Sequence, residues 1–176
     1  MLSKNSVGAQ IGENRAVHWA VMGTSLGEML VAATDRGVCC IAFGEGEACL
    51  AARFPLAERV PADEQFRGLF GRVLAAVERP GPDAAAIPLD VHGTAFQQRV
   101  WDELRRIPTG ETRSYGKIAA ALGQSGAARA VGGANRANRV AVLIPCHRVT
   151  AADGGLGGYA YGKAIKRELL RRERGG

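Results

Sequence analysis

The sequence has no apolar run near the roughly 20 residues that a membrane-spanning helix needs, and Met1-Leu2-Ser3-Lys4-Asn5-Ser6 lacks the apolar core of a secretion signal. Those absences exclude a spanning helix and lead us to expect a cytoplasmic protein. Four cysteines, at 39, 40, 49 and 146, contain no Cys-x-x-Cys spacing. Vicinal Cys39 and Cys40 are poor disulfide or zinc candidates because neighbouring side chains diverge on a strand. We expect residues 39, 40 and 49 to be reduced thiols in the core or at the surface. The glycine-rich stretch Gly154-Gly155-Leu156-Gly157-Gly158-Tyr159-Ala160-Tyr161-Gly162 lacks a Gly-Lys-Ser/Thr ending, so it is no phosphate loop and reads instead as a flexible flap. Acidic residues are missing altogether between Glu111 and Asp153.

That gap has electrostatic meaning. Residues 1 to 91 carry 8 Lys+Arg against 11 Asp+Glu, whereas residues 92 to 176 carry 15 against 6, so the net +6 is concentrated in the second half. Arg113, Lys117, Arg129, Arg136, Arg139 and Arg148 fall inside the acid-free interval. Such an asymmetry is the footprint of a polyanion-binding half. A solvated basic face without a partner is the bland alternative.

At 176 residues the chain can bury a real core as one domain or two small ones. Residues 1 to 15 are polar and aperiodic, and read as a flexible tail. Three strand-like runs follow, Val17 to Met22, Glu28 to Ala33 and Gly37 to Phe43, separated by turn residues in an antiparallel meander. The spacing of Phe66, Leu69, Phe70, Val73, Leu74 and Val77 predicts a helix over Ala62 to Arg79. Pro80-Gly81-Pro82-Asp83 breaks it, and Ile87 to Val91 is extended. The fold class expected is α+β, with a small α/β domain over 16–91 and a helical domain over 92–176.

The helical half opens with Thr94-Ala95-Phe96-Gln97, a capping box. Phe96, Val100, Leu104 and Ile107 form the buried stripe, Trp101 packs in the same core, and Pro108-Thr109-Gly110 stops the helix. Ser114 caps a helix over Tyr115 to Leu122, and after Gly123-Gln124-Ser125-Gly126 a third helix covers Ala127 to Ala134, the spacing of a helix-turn-helix. That third helix carries one long polar side chain, Arg129, among small residues such as Ala128, Ala130 and Gly132. A major-groove reader needs several polar side chains. Small residues suit close approach to a minor groove, with Arg129 free to enter the base stack; tight helix packing would explain them equally well. Lys163 to Arg174 closes the chain as a charged helix with Ile165, Leu169 and Leu170 inward.

Leu143-Ile144-Pro145-Cys146-His147-Arg148-Val149 holds the most chemistry. A free thiol is only a few per cent ionised near neutrality, and an imidazole beside it can supply the base. Strand neighbours face apart, but Pro145 blocks regular pairing, so a tight turn with contact through a water is plausible. A buried structural cysteine beside a surface histidine is the alternative, and Glu173 near the C-terminus is most simply a solvated acid.

Pro88-Leu89-Asp90, Gly93-Thr94-Ala95-Phe96-Gln97-Gln98, Val100-Trp101, Ile107-Pro108, Gly110-Glu111-Thr112, Ser114-Tyr115, Ala128-Arg129-Ala130-Val131, Ile144 to Val149 and Leu169 to Glu173 occur together in one order. From Val17 onward the chain resembles the O6-alkylguanine-DNA alkyltransferases, the methylated-DNA–protein-cysteine methyltransferases, and most closely the adaptive-response branch of that family. The resemblance implies a ribonuclease-H-like N-terminal domain and a winged-helix-like C-terminal domain. It implies that Cys146 takes the alkyl group, that His147 acts through a water and is oriented by Glu173, and that Asn138 fixes the adjacent turn. Tyr115 would crowd a phosphate and contact the flipped base, with Arg129 filling the vacated place in the stack. Ala128, Ala130, Gly132 and Arg136 would complete the DNA-binding face, and Pro145, Val149, Tyr159 and Ala160 would wall the base pocket. Some relatives carry Ser where this chain has Ala160, so a hydroxyl contact there is missing. No four-cysteine cluster precedes residue 17, so neither the zinc domain of the adaptive-response branch nor its gene activation is expected. His18 and His92 lack cysteine partners for the zinc of some animal members, and no cofactor is expected. The implied partner is double-stranded DNA carrying O6-alkylguanine, with O4-alkylthymine a further substrate, bound through the minor groove by a monomer. A cysteine hydrolase, or a non-enzymatic lesion-binding or regulatory module, remain the competing readings.

Overall fold

The computed structural model describes residues 15–175, so the tail expected over 1–15 lies outside the described residues except for Arg15. Strands β1 (Ala16–Thr24), β2 (Gly27–Thr34) and β3 (Gly37–Phe43) form the expected antiparallel meander. A fourth strand, β4 (Glu58–Pro61), joins β1 in parallel, so the sheet is mixed, in the order β3-β2-β1-β4. Two elements carry no sequence signal strong enough to read. They are β4 itself and the short helix α1 (Glu47–Arg53) that precedes it.

Helix α2 (Glu64–Glu78) begins two residues later than its periodicity suggests because Asp63 accepts from Gln65 N and caps it. Its buried face, Phe66, Phe70, Val73, Ala76 and Val77, packs on the sheet. Helix α3 (Ala95–Arg105) opens with both bonds of the capping box, Gln97 N to Thr94 Oγ1 at 3.2 Å and Thr94 N to Gln97 Oε1 at 2.9 Å. Trp101 is buried as expected, and its Nε1 donates to Ala134 O at 2.9 Å, tying α3 to α5 (Ala128–Arg136). Between them lies α4 (Tyr115–Ala121), capped by Ser114. A two-stranded parallel sheet of β5 (Arg113–Ser114) and β6 (Val149–Thr150) and the terminal helix α6 (Lys163–Glu173) complete the chain. The fold class is α+β.

One apolar cluster runs from Met29 and Ile41 in the sheet through Val100, Leu104 and Val131 to Cys146 and Leu169, so the two halves share a core. Their junction is backbone pairing on β3. Val38 N donates to Pro88 O and Asp90 N to Val38 O, both at 2.9 Å, and Ile41 N donates to Arg139 O at 2.9 Å. An exposed sheet edge is a liability. Here the edge of β3 is covered, and all seven of its residues are buried. The same bonds anchor the segment that leads to Cys146.

Within β3 the register slips opposite Ala32/Ala33, which admits one extra residue. As a result Cys39 and Cys40 both join the cluster with Leu50 and Phe54 on the α1 side, instead of diverging. The expectation of opposed side chains fails because a bulge breaks strand alternation.

Close approach of the Pro88-Leu89-Asp90 segment requires Gly37. A Cβ there would lie 2.5 Å from Pro88 O, at φ +152. Gly37→Ala must push the segment off β3 and adopt a disfavoured backbone conformation, which costs about 2–4 kcal/mol. Equilibrium urea unfolding measures it; a loss under about 0.5 kcal/mol, the range of neutral surface substitutions, contradicts this account.

Candidate functional site

The reactive segment is a strained turn stapled at its base. Asn138 closes it from inside, its Nδ2 donating to Ile144 O and its Oδ1 accepting from Val140 N, each at 2.9 Å. Val142 lies at φ 70, a conformation a β-branched residue adopts only when its surroundings dictate it. Ile144 N donates to Val140 O, and Cys146 N donates to Ile144 O at 2.7 Å, the tight turn expected at Pro145. Residues Cys146–Arg148 then form a single 3-10 turn, so Cys146 and His147 do not take the opposed directions of strand neighbours.

Cys146 and His147 are both buried. Neither the surface histidine nor the solvated acid of the bland readings survives. His147 Nε2 lies 2.7 Å from Glu173 Oε1, and these side chains are 0% and 1% exposed. Arg148 completes the clamp, with Nε to Glu173 Oε2 and Nη2 to Oε1 at 2.9 Å and Nη1 to Ile107 O at 2.6 Å. Burial pushes the Glu173 carboxyl up, but hydrogen bonds from His147 and Arg148 outweigh it and hold the carboxyl at about 2. Burial also lowers His147, against the opposing pull of Glu173, so its neutral form is favoured. Since the carboxylate accepts at Nε2, the imidazole proton belongs there and Nδ1 carries the lone pair. That Nδ1 is buried without a partner among the described residues.

Burial pushes the Cys146 thiol up as well, opposed by contacts from Asn138 and Tyr159 and by the Lys166 charge. Lys166 is the residue that sequence reasoning missed. It is fully buried, and its Nζ donates to Val149 O at 2.6 Å and to Gly158 O at 3.0 Å. A signal existed: positions 166, 169, 170 and 173 follow the 3-4 spacing of one helix face, which places Lys166 and Glu173 on the stripe of Leu169 and Leu170. Ile165, expected inward, is only partly buried. Arg148 too reads in the sequence only as basic charge, although it spans Ile107 and Glu173.

The flap is tied down in its second half, by Lys166 to Gly158 and by the Tyr161 hydroxyl to Ile41 O at 3.3 Å. The description as a flexible segment therefore fails beyond residue 157. Tyr159 packs edge-on against Tyr161, and its hydroxyl is buried near Cys146 without a hydrogen-bond partner. Val149 is fully buried beside the reactive turn, Pro145 precedes it, and Ala160 is exposed on the flap. Tyr115 at the start of α4 lies against Gly132 of α5, and its hydroxyl is pushed up by burial and by Cys146. Arg129, Ala130, Gly133 and Arg136 are exposed, whereas Ala128 and Gly132 are half-buried. A Cβ at Gly133 would meet nothing, and one at Gly132 only the Tyr115 ring at 3.8 Å. Internal packing therefore does not demand glycine at either position. Helix α5 also has no side-chain cap at its N-terminus. Among the described residues no group of three or more His, Cys, Asp or Glu is placed to hold a metal ion.

Residues 95–175 match the family described as 6-O-methylguanine DNA methyltransferase, DNA binding domain. The methylated-DNA–protein-cysteine methyltransferase of Methanosarcina acetivorans is 36% identical over 157 residues, 89% of this chain and 98% of that protein. The chain belongs to the methylated-DNA–protein-cysteine methyltransferase family. The bifunctional transcriptional activator/DNA repair enzyme Ada of Escherichia coli K12 is 47% identical over 167 residues, 92% of this chain. This methyltransferase-family chain spans 47% of that protein, about half its length. Among solved structures, the Mycobacterium tuberculosis OGT in complex with DNA superposes with a TM-score of 0.75 at 38% identity, covering 89% of this chain and 92% of that one. No helix of the described residues is long and apolar enough to cross a membrane.

The Glu173 clamp makes a signed prediction. A carboxyl held at about 2 when folded and 4.5 when unfolded adds stability that is complete above 4.5 and lost as pH falls towards 2. Glu173→Gln should lower stability at neutral pH by about 3–5 kcal/mol, because Arg148 is left without its charge partner, and should flatten the acid limb. Urea midpoints measured from pH 7 down to pH 2 test both; parallel curves for the two proteins would refute the assignment.

Proposed function

We propose that this protein repairs DNA by direct reversal, moving an alkyl group from O6 of guanine irreversibly onto Cys146. The observation that carries the reading is a buried thiol beside a neutral, clamped imidazole, under Tyr115 and Tyr159 and behind a basic helix whose outward face is small. A substrate atom reaches such a thiol only if it is pushed out of a larger body, and base flipping does that for a stacked guanine. Loss of normal pairing makes flipping cheaper for the lesion than for an intact base.

On this reading α5 enters the minor groove, its small residues Ala128, Ala130 and Gly132 allowing close backbone approach while Arg129 takes the vacated place in the stack. Arg136 supplies further phosphate attraction. Tyr115 crowds the phosphate and contacts the flipped base. Pro145, Val149, Tyr159 and Ala160 wall the pocket, and the flap must yield to admit the base. The Cys146 proton passes through a water to Nδ1 of His147, whose other nitrogen Glu173 holds. The sulfur then attacks the alkyl carbon; the S–C bond forms, the C–O bond breaks, and guanine leaves with a proton delivered from the side of Tyr115. Asn138 keeps the turn shaped for that attack.

The product is a thioether, which water does not cleave, so each molecule acts once. A cysteine hydrolase fits less well, since its nucleophile is held as a thiolate while burial here favours the neutral thiol. A lesion-binding module without transfer leaves Cys146 unexplained. We assign residues 16–91 to scaffolding and 92–176 to DNA binding and alkyl acceptance, by a monomer without cofactor. Four free thiols agree with a cytoplasmic location. O4-alkylthymine, which presents the same alkyl-oxygen chemistry, is a second substrate to test.

Incubation with a duplex carrying O6-methylguanine should raise the intact mass by one CH2, located at Cys146 by peptide mapping and lost in Cys146→Ala. Unchanged protein mass, whether or not the DNA is restored, rejects alkyl transfer. Arg129→Ala should slow transfer from duplex by about tenfold or more, on the scale of the few kcal/mol that extrusion of a base costs, while leaving the rate with free O6-benzylguanine unchanged. Equal slowing on both substrates rejects the stack-filling role.

A further inference from the structure

Three cysteines take no part in the reaction above, and two of them meet. Cys40 lies on β3 facing α1, and Cys49 lies on α1 one turn before Arg53. Positions four apart share a helix face, so α1 turns Cys49 and Arg53 together towards the Cys40 sulfur. Arg53 Nη1 donates to Cys40 Sγ at 3.2 Å, and Cys49 packs against the apolar cluster that contains Cys40. Cys40 is fully buried, whereas Cys49 is partly exposed. The group is held in place by Arg139 Nη1, which donates to Arg53 O at 2.8 Å, and by Glu45, whose carboxylate lies 3.4 Å from Arg53 Nη2.

We propose that Cys40 and Cys49 form a redox modification site, a dithiol that a peroxide-class oxidant converts to a disulfide while Cys146 remains a free thiol. This goes beyond alkyl transfer and does not depend on it.

The charge distribution favours one anion in the pair. The hydrogen bond from Cys49 and the guanidinium of Arg53 lower Cys40 against the opposing effect of burial, and Cys49 is correspondingly pushed up. Cys39, adjacent in sequence, is 2% exposed and so closed to an oxidant that the partly exposed Cys49 can meet. The proton shared between the sulfurs passes to Cys40 when Cys49 reacts. The Cys49 thiolate attacks one peroxide oxygen, the O–O bond breaks, and hydroxide leaves and takes back from solvent the proton released when the pair ionised, giving a sulfenic acid and water. Cys40 then attacks the Cys49 sulfur; the S–S bond forms, the S–O bond breaks, and the departing hydroxide takes the remaining thiol proton. Two thiols and one hydrogen peroxide give one disulfide and two waters, the two sulfurs supplying the two electrons. A resolving thiol packed in the same cluster is what stops oxidation at this reversible stage.

The experiment uses the full, reduced protein titrated with hydrogen peroxide. Remaining thiols are trapped with iodoacetamide, and the chain is cut with a glutamate-specific protease, which separates Cys40 from Cys49 at Glu45 and Glu47. Mass spectrometry should find the Cys40 and Cys49 peptides linked and two hydrogens lighter, separable by dithiothreitol, while Cys146 carries the iodoacetamide label. Cys39→Ser should keep the link, and Cys40→Ser and Cys49→Ser should each abolish it with the circular dichroism spectrum unchanged. Oxidation of Cys146 before the pair, over-oxidation of Cys49 without a link, four unreacted thiols, or a link that needs Cys39 would each overturn the proposal.

Discussion

The carboxylate of Glu173 sits 1% exposed at the end of the last helix, and it tolerates that position because three donor residues converge on it from two segments. His147 and Arg148 come from the reactive turn, and Gly110 N approaches from the α3–β5 connection at 3.4 Å. An unpaired buried charge costs several kcal/mol, so α6 and the turn are each incomplete without the other. Arg148 then extends the link to Ile107 O at the end of α3. Orientation of the imidazole, choice of its tautomer and closure of the C-terminus onto the helical core therefore follow from one satisfied carboxylate.

Signals that act over a few residues were legible in the sequence, and signals that act across the fold were not. The capping box at Thr94, the cap at Ser114, the meander turns and the buried Trp101 depend on near neighbours and appear where their patterns put them. Strand β4 has four residues and no alternation of its own, and it exists because the edge of β1 offers a parallel partner. The slip that turns Cys39 and Cys40 to one side is a property of pairing with β2, invisible in β3 alone. Glu173 reads as a surface acid in any local window. Only the family resemblance assigned it to His147, and the burial of the pair gives that assignment its physical reason.

Lys166 illustrates the same limit from the other side. A lysine in a run of Lys and Arg reads as solvated charge, yet its ammonium bridges β6 and the flap through two carbonyl oxygens. Burying an ammonium lowers its affinity for a proton, and Cys146 as a nearby acceptor of negative charge opposes that effect. The lysine thus ties Gly158 of the flap to β6 and places a positive charge near the Cys146 sulfur. Helix periodicity is what reveals it: the charged residues at both ends of the 166–173 stripe are the ones that face inward.

The site is arranged for a thiol that waits rather than one kept ionised. On the proposed reading, burial raises Cys146 and withholds the reactive form until an alkyl carbon and a proton acceptor are both in place, and His147, whose neutral form burial favours, would take that proton at Nδ1. A thiol proposed to react once would gain from such restraint, because a standing thiolate would also meet oxidants. The same logic separates Cys146 from Cys40. One sulfur is shielded by apolar burial and spared, while the other is stabilised as an anion by Arg53 beside a partly exposed partner. Desolvation raises one buried thiol and a guanidinium lowers another in the same chain, and on the proposed reading the partly exposed Cys49 beside the second is what lets an oxidant reach that pair.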